Sequence, residues 1–342
     1  MATTPNMSAW LLPQDVDLII RDTLKYTLES LPQVMRNAPF TNVQMIGERN
    51  GAYDRIRERL AFDEYSSYRP EGDAASQSRV QYGYEKDLIV KTEAKQISLT
   101  KFFRKTNKSE RDMNDMIRQL SIWIPNAIDL DLAHRITFAG STSYVDRAGQ
   151  TIDVTTGDGL APASASHTLT GSSITYSTVV TGNPPFSKGA YELALKSMVD
   201  NSYNNLGQKM ALPTRKCVVT TEDPNTCNTV KELLKATADT SSSNSGTYNW
   251  AQNAFEHVIV PRIATNADGS IDTTKAKYWA VVCPDASDLT LGIVHDAELS
   301  SPMDQNNGVD VATGNYTWEV DAIYGIAQPT AKAWRYSLPT SS

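Results

Sequence analysis

Between Asn107 and Gly140 the chain reads NKSERDMNDMIRQLSIWIPNAIDLDLAHRITFAG, and its apolar residues recur with a helical period throughout. Met113, Ile117, Leu120, Ile124, Ile128 and Leu132 step at three- and four-residue intervals, which places them on one stripe of a helix. Asn107 with Glu110, or Ser109 with Asp112, offers a capping-box start, and Gly140 offers a stop. A helix so bounded has about nine turns. Pro125 falls in its middle, and the stripe resumes in register beyond it, so a bend is expected there rather than a break. One helix of this length, apolar on a single stripe, constrains everything around it. The rest of the chain has to be laid along it as along a spine.

Two unlike segments precede the spine. VDLIIRDTLKYTLESLPQVMRN is expected to be helical, with Leu18, Leu24, Leu28 and Leu31 on one face, Asp15 as its cap and Pro32 ending or kinking it. Residues 48–105 are dense in both charge signs and have no compact apolar pattern until Val80, Tyr82 and Tyr84 alternate. DLIVKTEAKQISLT then adds two more β-like runs. A tip rich in Pro, Gly, Asp, Ala and Ser (residues 70–78) lies between a charged ascending limb and this β-rich descending one. The pattern is that of a long two-stranded excursion. An isolated hairpin is marginal in water, so the stretch from about Phe62 to Leu99 is expected to project and gain its order on a neighbour.

After the spine, residues 140–186 are rich in Gly, Ser, Thr and Pro, with short β runs such as SSITYSTVV. The texture then becomes α/β. FSKGAYELALKSMVDNSY reads as a helix capped by Ser187, and EDPNTCNTVKELLKATA as one capped by Asp223 with Pro224 at its first position. RKCVVTT, HVIVPRI, KYWAVVC and LTLGIVH read as strands, and TADTSSSNSGTYNW as a flexible loop. TWEVDAIYGIAQPTAKAWRYSL alternates and is expected to return as strands to the earlier domain.

Bulk properties narrow the function. The 342 residues are 40% apolar and 21% charged, ordinary for a globular protein with ample core. A net charge of −7 argues against a protein that coats nucleic acid, which needs a basic surface. No apolar run approaches the roughly 18 residues that a bilayer span requires. MATTPNMSAWLLPQD lacks the basic start and apolar stretch of a signal peptide, so synthesis in the cytoplasm is expected and the N-x-S/T sequons at Asn6, Asn107 and Asn315 carry no meaning. The three cysteines, Cys217, Cys227 and Cys283, make no C-x-x-C pair, so neither disulfides nor a zinc knuckle is expected.

Four stretches invite a chemical reading. TTGDGLAPASASHTL holds Asp158, Ser164, Ser166 and His167, the residue types of a hydrolase triad. It has no nucleophile elbow, its serines lie among small residues, and Asp158 between two glycines suits a turn in which the carboxylate bonds its own backbone. NADGSID has an EF-hand look, but aligning Gly269 puts Ala264 first and Lys275 last, where carboxylates are needed. A β-hairpin turn between HVIVPRI and KYWAVVC is expected instead. His134, His167, His257 and His295 make no metal-ligand spacing. Arg55, Arg57 and Arg59 alternate with Asp54 and Glu58, a pattern that suits either salt-bridged contact with a partner or a solvated charged face. There is no Walker loop and no G-x-G-x-x-G.

Three stretches carry a resemblance. YGYEKDLIVKTEAKQISLTKFFRKTNKSERDMN is similar to the return limb of the extended loop in tailed-phage major capsid proteins of the Hong Kong 97 fold, where that limb runs into the spine helix. TTGDGLAPASASHTL is similar to the segment that follows the spine in that family, with Ala165 intervening in its Ser-His run. FEHVIVPRI followed by KYWAVVCPDAS is similar to the family's paired apical strands. The sub-type resembles the Mu-like major head subunits.

The resemblance implies an α+β chain of five parts. They are an N-terminal arm (1–47), an extended β-hairpin loop (48–105), the spine helix and peripheral domain (106–186), an inserted α/β apical domain (187–311) and return strands of the peripheral domain (312–342). It implies a major capsid (head) protein that assembles as pentamers and hexamers into an icosahedral shell around phage double-stranded DNA. Its partners would be other copies of itself, a scaffolding protein, a portal and a decoration protein. DNA would lie near it without specific contact, and no membrane is involved. The chain would be made in the host bacterial cytoplasm and reside in the virion. No catalytic, cofactor-binding or metal-binding residue is assigned, and no cofactor. Another virion structural protein such as a tail-tube subunit, and an α/β hydrolase, remain the alternatives.

Overall fold

A computed structural model describes Asp22 and residues 33–46, 53–58, 63, 65–78, 80–100, 110–211, 213–238, 248–300 and 315–339. Of the expected N-terminal helix, Asp22 is described and helical and residues 34–37 form a turn; the rest of it with Asp15, the start of the spine at Asn107 and Ser109, Arg59 and most of the loop from Thr237 to Trp250 lie outside the described residues.

Two four-stranded sheets and three helices organise the described chain. The first sheet runs β1 (Asn42–Met45), β12 (Thr290–Ser300), β13 (Tyr316–Ala327), β4 (Lys91–Leu99). β1 lies parallel to β12, and the other two pairings are antiparallel. The second sheet runs β10 (Glu256–Ile259), β9 (Cys217–Thr220), β11 (Trp279–Val282), β14 (Trp334–Ser337). Three two-stranded ribbons complete the set: β2 (Tyr53–Arg57) with β3 (Glu85–Ile89), β5 (Ser143–Val145) with β6 (Thr151–Asp153), and β7 (His167–Leu169) with β8 (Ser172–Tyr176).

The spine is α1 (Glu110–Thr137), 28 residues that run unbroken through Pro125. Leu120, Ile124, Ile128 and Leu132 are buried in the main core, as the stripe requires, while the side chains of Met113 and Ile117 lie outside the described set. Gly140 is not a left-handed cap, because its φ is not positive. The helix ends instead by tightening: Phe138 N–H donates to His134 O, then Ala139 N–H to Ile136 O at 3.1 Å, a three-residue closure. The shorter helices start where the sequence puts their caps. Ser187 accepts the Ala190 N–H ahead of α2 (Lys188–Asp200), and Asp223 accepts the Thr226 N–H ahead of α3 (Pro224–Lys235).

Strand partnering departs from the sequence expectations in three places. β10 and β11 do not form a hairpin; both flank β9, one parallel and one antiparallel. The NADGSID turn is a small closure of its own, with Gly269 at φ +86° and Thr265 bridged to Ile271. A 3₁₀ turn on each side of it carries the chain across to the far edge of β9. β12, grouped with the inserted domain, pairs with β13, β1 and, through β13, the loop strand β4. β14, grouped with the return strands, closes the second sheet against β11. The chain therefore rejoins the first sheet at Thr290 rather than near residue 312. The reason is burial: one continuous core, from Leu120 through Trp279 and Trp318 to Trp334, underlies both sheets.

The excursion is also shorter than expected. Among the described residues its two-stranded part is the five-residue β2–β3 ribbon at the base, with Val80 and Tyr82 outside any strand on either side of a single bridge residue, Gln81. Leu88 is fully buried, and β4 is an integral edge of the first sheet. Gly292 and Gly325 face each other in the β12–β13 register. A Cβ on Gly292 would strike Ile46 and Leu88, and one on Gly325 would strike Leu88 and the Ile89 carbonyl. These paired glycines open the gap through which the base of the loop crosses the sheet. What remains without a core of its own is the stretch 65–82, where Tyr68 is 91% exposed.

Candidate functional site

The turn-rich stretch does bring an aspartate and a histidine together. Gly159 at φ +78° closes a tight turn in which Asp158 Oδ1 accepts the Leu160 N–H and the Thr156 hydroxyl. The turn was legible in the sequence. What was not legible is that the other oxygen, Oδ2, lies 2.7 Å from His167 Nδ1. Burial alone would raise the Asp158 pKa, but its bonds to His167 and Thr156 overcome this and hold it down at about 2. His167 is fully buried and stacked on Tyr176 at 5.2 Å.

The geometry denies this pair a nucleophile. A hydrolytic triad needs a hydroxyl at the second imidazole nitrogen. His167 Nε2 faces the Pro162 carbonyl at 3.1 Å instead. The Ser164 amide donates to Thr178 Oγ1, and the Ser164 hydroxyl accepts the Ser166 N–H at 3.4 Å. Asp158, His167 and Thr178 thus brace the loop against β8 and its continuation. The other histidines are dispersed. His134 is fully buried beside Thr265 Oγ1 at 3.3 Å, His257 lies 2.9 Å from Thr220 Oγ1, and His295 lies 2.9 Å from Glu298. Burial pushes the pKa of both His134 and His257 down to about 4. Among the described residues no group of three His, Cys, Asp or Glu side chains could hold a metal ion. Among those residues no helix is long and apolar enough to cross a membrane.

Polar organisation centres on the spine. Asp131, buried on α1, takes Lys91 Nζ of β4 at 2.8 Å, Arg147 Nη1 of the β5–β6 turn at 2.9 Å and the Tyr324 hydroxyl of β13 at 2.5 Å. Glu93 pairs with the same two cations, at 2.9 and 2.8 Å. Burial would raise the Asp131 carboxyl, yet Lys91 and Arg147 hold it below its ordinary value. Two residues earlier, Asp129 accepts the Met35 N–H at 2.7 Å and Arg262 Nη1 at 2.5 Å, so it ties the segment before β1 and the turn after β10 to the same helix. The spine's polar face therefore fixes the base of the loop. Nothing in the sequence marks these carboxylates, since a helix normally turns Asp to solvent.

Beside this network a cavity of about 210 Å³ is lined by Lys86, Arg135, Tyr144, Asp153 and Tyr324 among others. Arg135 is fixed there by the Asp153 and Ile326 carbonyls, at 2.8 and 3.0 Å.

In the charged limb, Arg55 and Arg57 find partners within the chain. Arg55 reaches Asp87 at 2.9 Å and Glu85 at 3.2 Å, and Arg57 reaches Glu85 at 2.8 Å. The antiparallel register that pairs Arg55 with Asp87 and Arg57 with Glu85 makes these contacts inside the chain. Such exposed pairs contribute about 0.2–1 kcal/mol each. Glu58 turns inward to Lys332. Beyond the ribbon, Tyr65, Tyr68, Val80 and Tyr82 are exposed on the stretch without a core of its own.

The capsid of the cyanophage P-SCSP1u superposes with a TM-score of 0.51 over 89% of this chain and 87% of that one, at 11% identity. The fold is that of a phage capsid subunit. It is the Hong Kong 97-like architecture, a mixed α/β chain with few helices and several sheets, as the sequence implied. The mature capsid of bacteriophage PhiM1 is similar at TM-score 0.49 and 13% identity, over 87% of this chain and 85% of that one. The capsid of an empty GTA particle is similar at 0.48 and 10% identity, over 89% of each. No family model and no curated protein matches the sequence.

Proposed function

We propose that the chain is a major capsid protein, whose copies assemble as pentamers and hexamers into the icosahedral shell around phage double-stranded DNA. The observation that carries this reading is a capsid-type fold bearing a solvent-exposed stretch, residues 65–82, with no core beneath it. A segment of that kind lowers its free energy by lying on another copy, and closed point-group assembly uses such contacts up. The role is structural, with Asp158, Ser164 and His167 bracing a loop rather than turning over a substrate.

On this reading the Mu-like head subunits are the sub-type, and a scaffolding protein, a portal and a decoration protein are the further partners. The virion is its location after synthesis in the host cytoplasm, and the five-part division of the chain describes its domains, with β12 and β14 exchanged between sheets as above. Negative-stain electron microscopy of the expressed chain, with and without the products of neighbouring genes, tests the proposal. Polyhedral shells support it. Rods and stacked rings would assign the chain to a tail tube, and dispersed monomers under every condition would overturn it.

A further inference from the structure

In its last turn α1 buries an arginine. Arg135 is 8% exposed and lines the cavity of about 210 Å³ beside the spine network. Its Nη1 and Nη2 each donate one N–H to a carbonyl, Asp153 O at 2.8 Å and Ile326 O at 3.0 Å. A guanidinium carries five N–H groups, and among those left over is that of Nε, which is buried with no hydrogen-bond partner. The carboxylates that share the cavity are committed elsewhere. Asp131 serves Lys91 and Arg147, Asp153 serves Lys86 at 2.5 Å, and Asp87 serves Arg55 at 2.9 Å. Among the described residues none of them pairs with Arg135. Burial lowers the Arg135 pKa, against the pull of Tyr144, Asp131 and Asp153.

The two carbonyls explain where Arg135 points, but they do not neutralise it. A buried cation with no counter-charge and an unmade hydrogen bond is costly. The cavity walls say what would relieve it. Ile89, Val90, Ile152 and Ile326 line the cavity together with the rings of Tyr144 and Tyr324. Ile89 is 70% exposed, so the cavity is reached from solvent. One uncompensated positive charge calls for one negative charge. A doubly charged phosphate would set a surplus charge beside Asp131 and Asp153, whereas a carboxylate brings one charge in a plane that matches the guanidinium N–H fork. We propose that this cavity binds a small monocarboxylate, its carboxylate on Arg135 and a short apolar body against the isoleucine and tyrosine walls. The ligand would join the end of the spine to β6 and β13, which already meet at Arg135.

The inference concerns the single subunit and does not depend on shell formation. The test is calorimetric titration of the purified, unassembled full chain with benzoate, isovalerate, acetate and inorganic phosphate, at ionic strength fixed with chloride. Benzoate and isovalerate should bind saturably in the millimolar range or tighter, acetate more weakly because it lacks the apolar body, and phosphate not at all. Arg135→Gln should weaken benzoate binding by about tenfold or more, the worth of one charge-assisted hydrogen bond. Ile152→Trp, which narrows the cavity and keeps the guanidinium, should weaken it too. Should Arg135→Gln fail to fold, irradiation of wild type with 4-azidobenzoate and peptide mapping locates the site. Adducts within residues 86–91, 144–153 or 324–326 support the proposal, and adducts elsewhere overturn it. Absence of saturable binding by any carboxylate, phosphate binding as tight as benzoate, or undiminished binding by a folded Arg135→Gln variant also overturns it.

Discussion

Replacing Asp131 by asparagine removes one charge and almost no volume from a buried point of the spine that three side chains share. The carboxylate is 3% exposed and serves Lys91, Arg147 and the Tyr324 hydroxyl together. An asparagine oxygen can still accept from one of them, but its NH₂ would face donors, and each cation would lose one of its carboxylate partners. Removing one member of a buried ion-pair group costs about 3–5 kcal/mol. Glu93 remains paired with both cations, and these are 22% and 26% exposed, so the lower end applies, about 3 kcal/mol. Urea denaturation of the unassembled subunit at neutral pH measures it. The pH dependence sharpens the test. The Asp131 pKa is lower folded than unfolded, so its contribution is present above the ordinary value of 3.8 and fades as pH falls below it. Wild type and Asp131→Asn should therefore converge in acid. A difference below about 1 kcal/mol at neutral pH, or one that persists unchanged in acid, would refute the idea that Asp131 organises the spine.

Acid should also destabilise the wild-type chain earlier, through the buried histidines. His134 falls from 6.5 to about 4 on folding, so the unfolded chain binds a proton first and stability drops as pH falls through that window, by about 3 kcal/mol. His257 adds in the same direction, and a flat stability profile across the window rejects this. Ile128→Ala should cost about 2–5 kcal/mol in a denaturation midpoint, and a smaller loss would mean that the stripe is not the core-facing side. Deleting residues 66–78 should leave circular dichroism and melting close to wild type while abolishing shells, and normal shells from that variant would remove the stated role of the exposed stretch. Ser164→Ala should leave both shell formation and melting unchanged, whereas loss of a hydrolytic activity present in wild type would restore the enzyme reading.

The sequence by itself determined whatever depends on near neighbours. The spine from Glu110 to Thr137 follows from its period, and the starts of α2 and α3 follow from Ser187 and from Asp223 with Pro224. The Asp158 turn follows from its flanking glycines, and the strand runs at 217–220, 279–282 and the first half of 290–300, up to His295, follow from their apolar content. In each case the energy that selects the conformation lies within a few residues. Tertiary structure alone decided which strand lies beside which. A buried strand offers the same N–H and C=O groups to any partner, so nothing local sends β14 to β11 or keeps β10 and β11 on opposite sides of β9. It also decided the polar groupings. His167 meets Asp158 across 9 residues, Tyr324 meets Asp131 across 193, and Lys332 meets Glu58 across 274. A charged side chain can be buried only where opposite charge and donors converge on it, and that convergence exists only once the whole chain has folded.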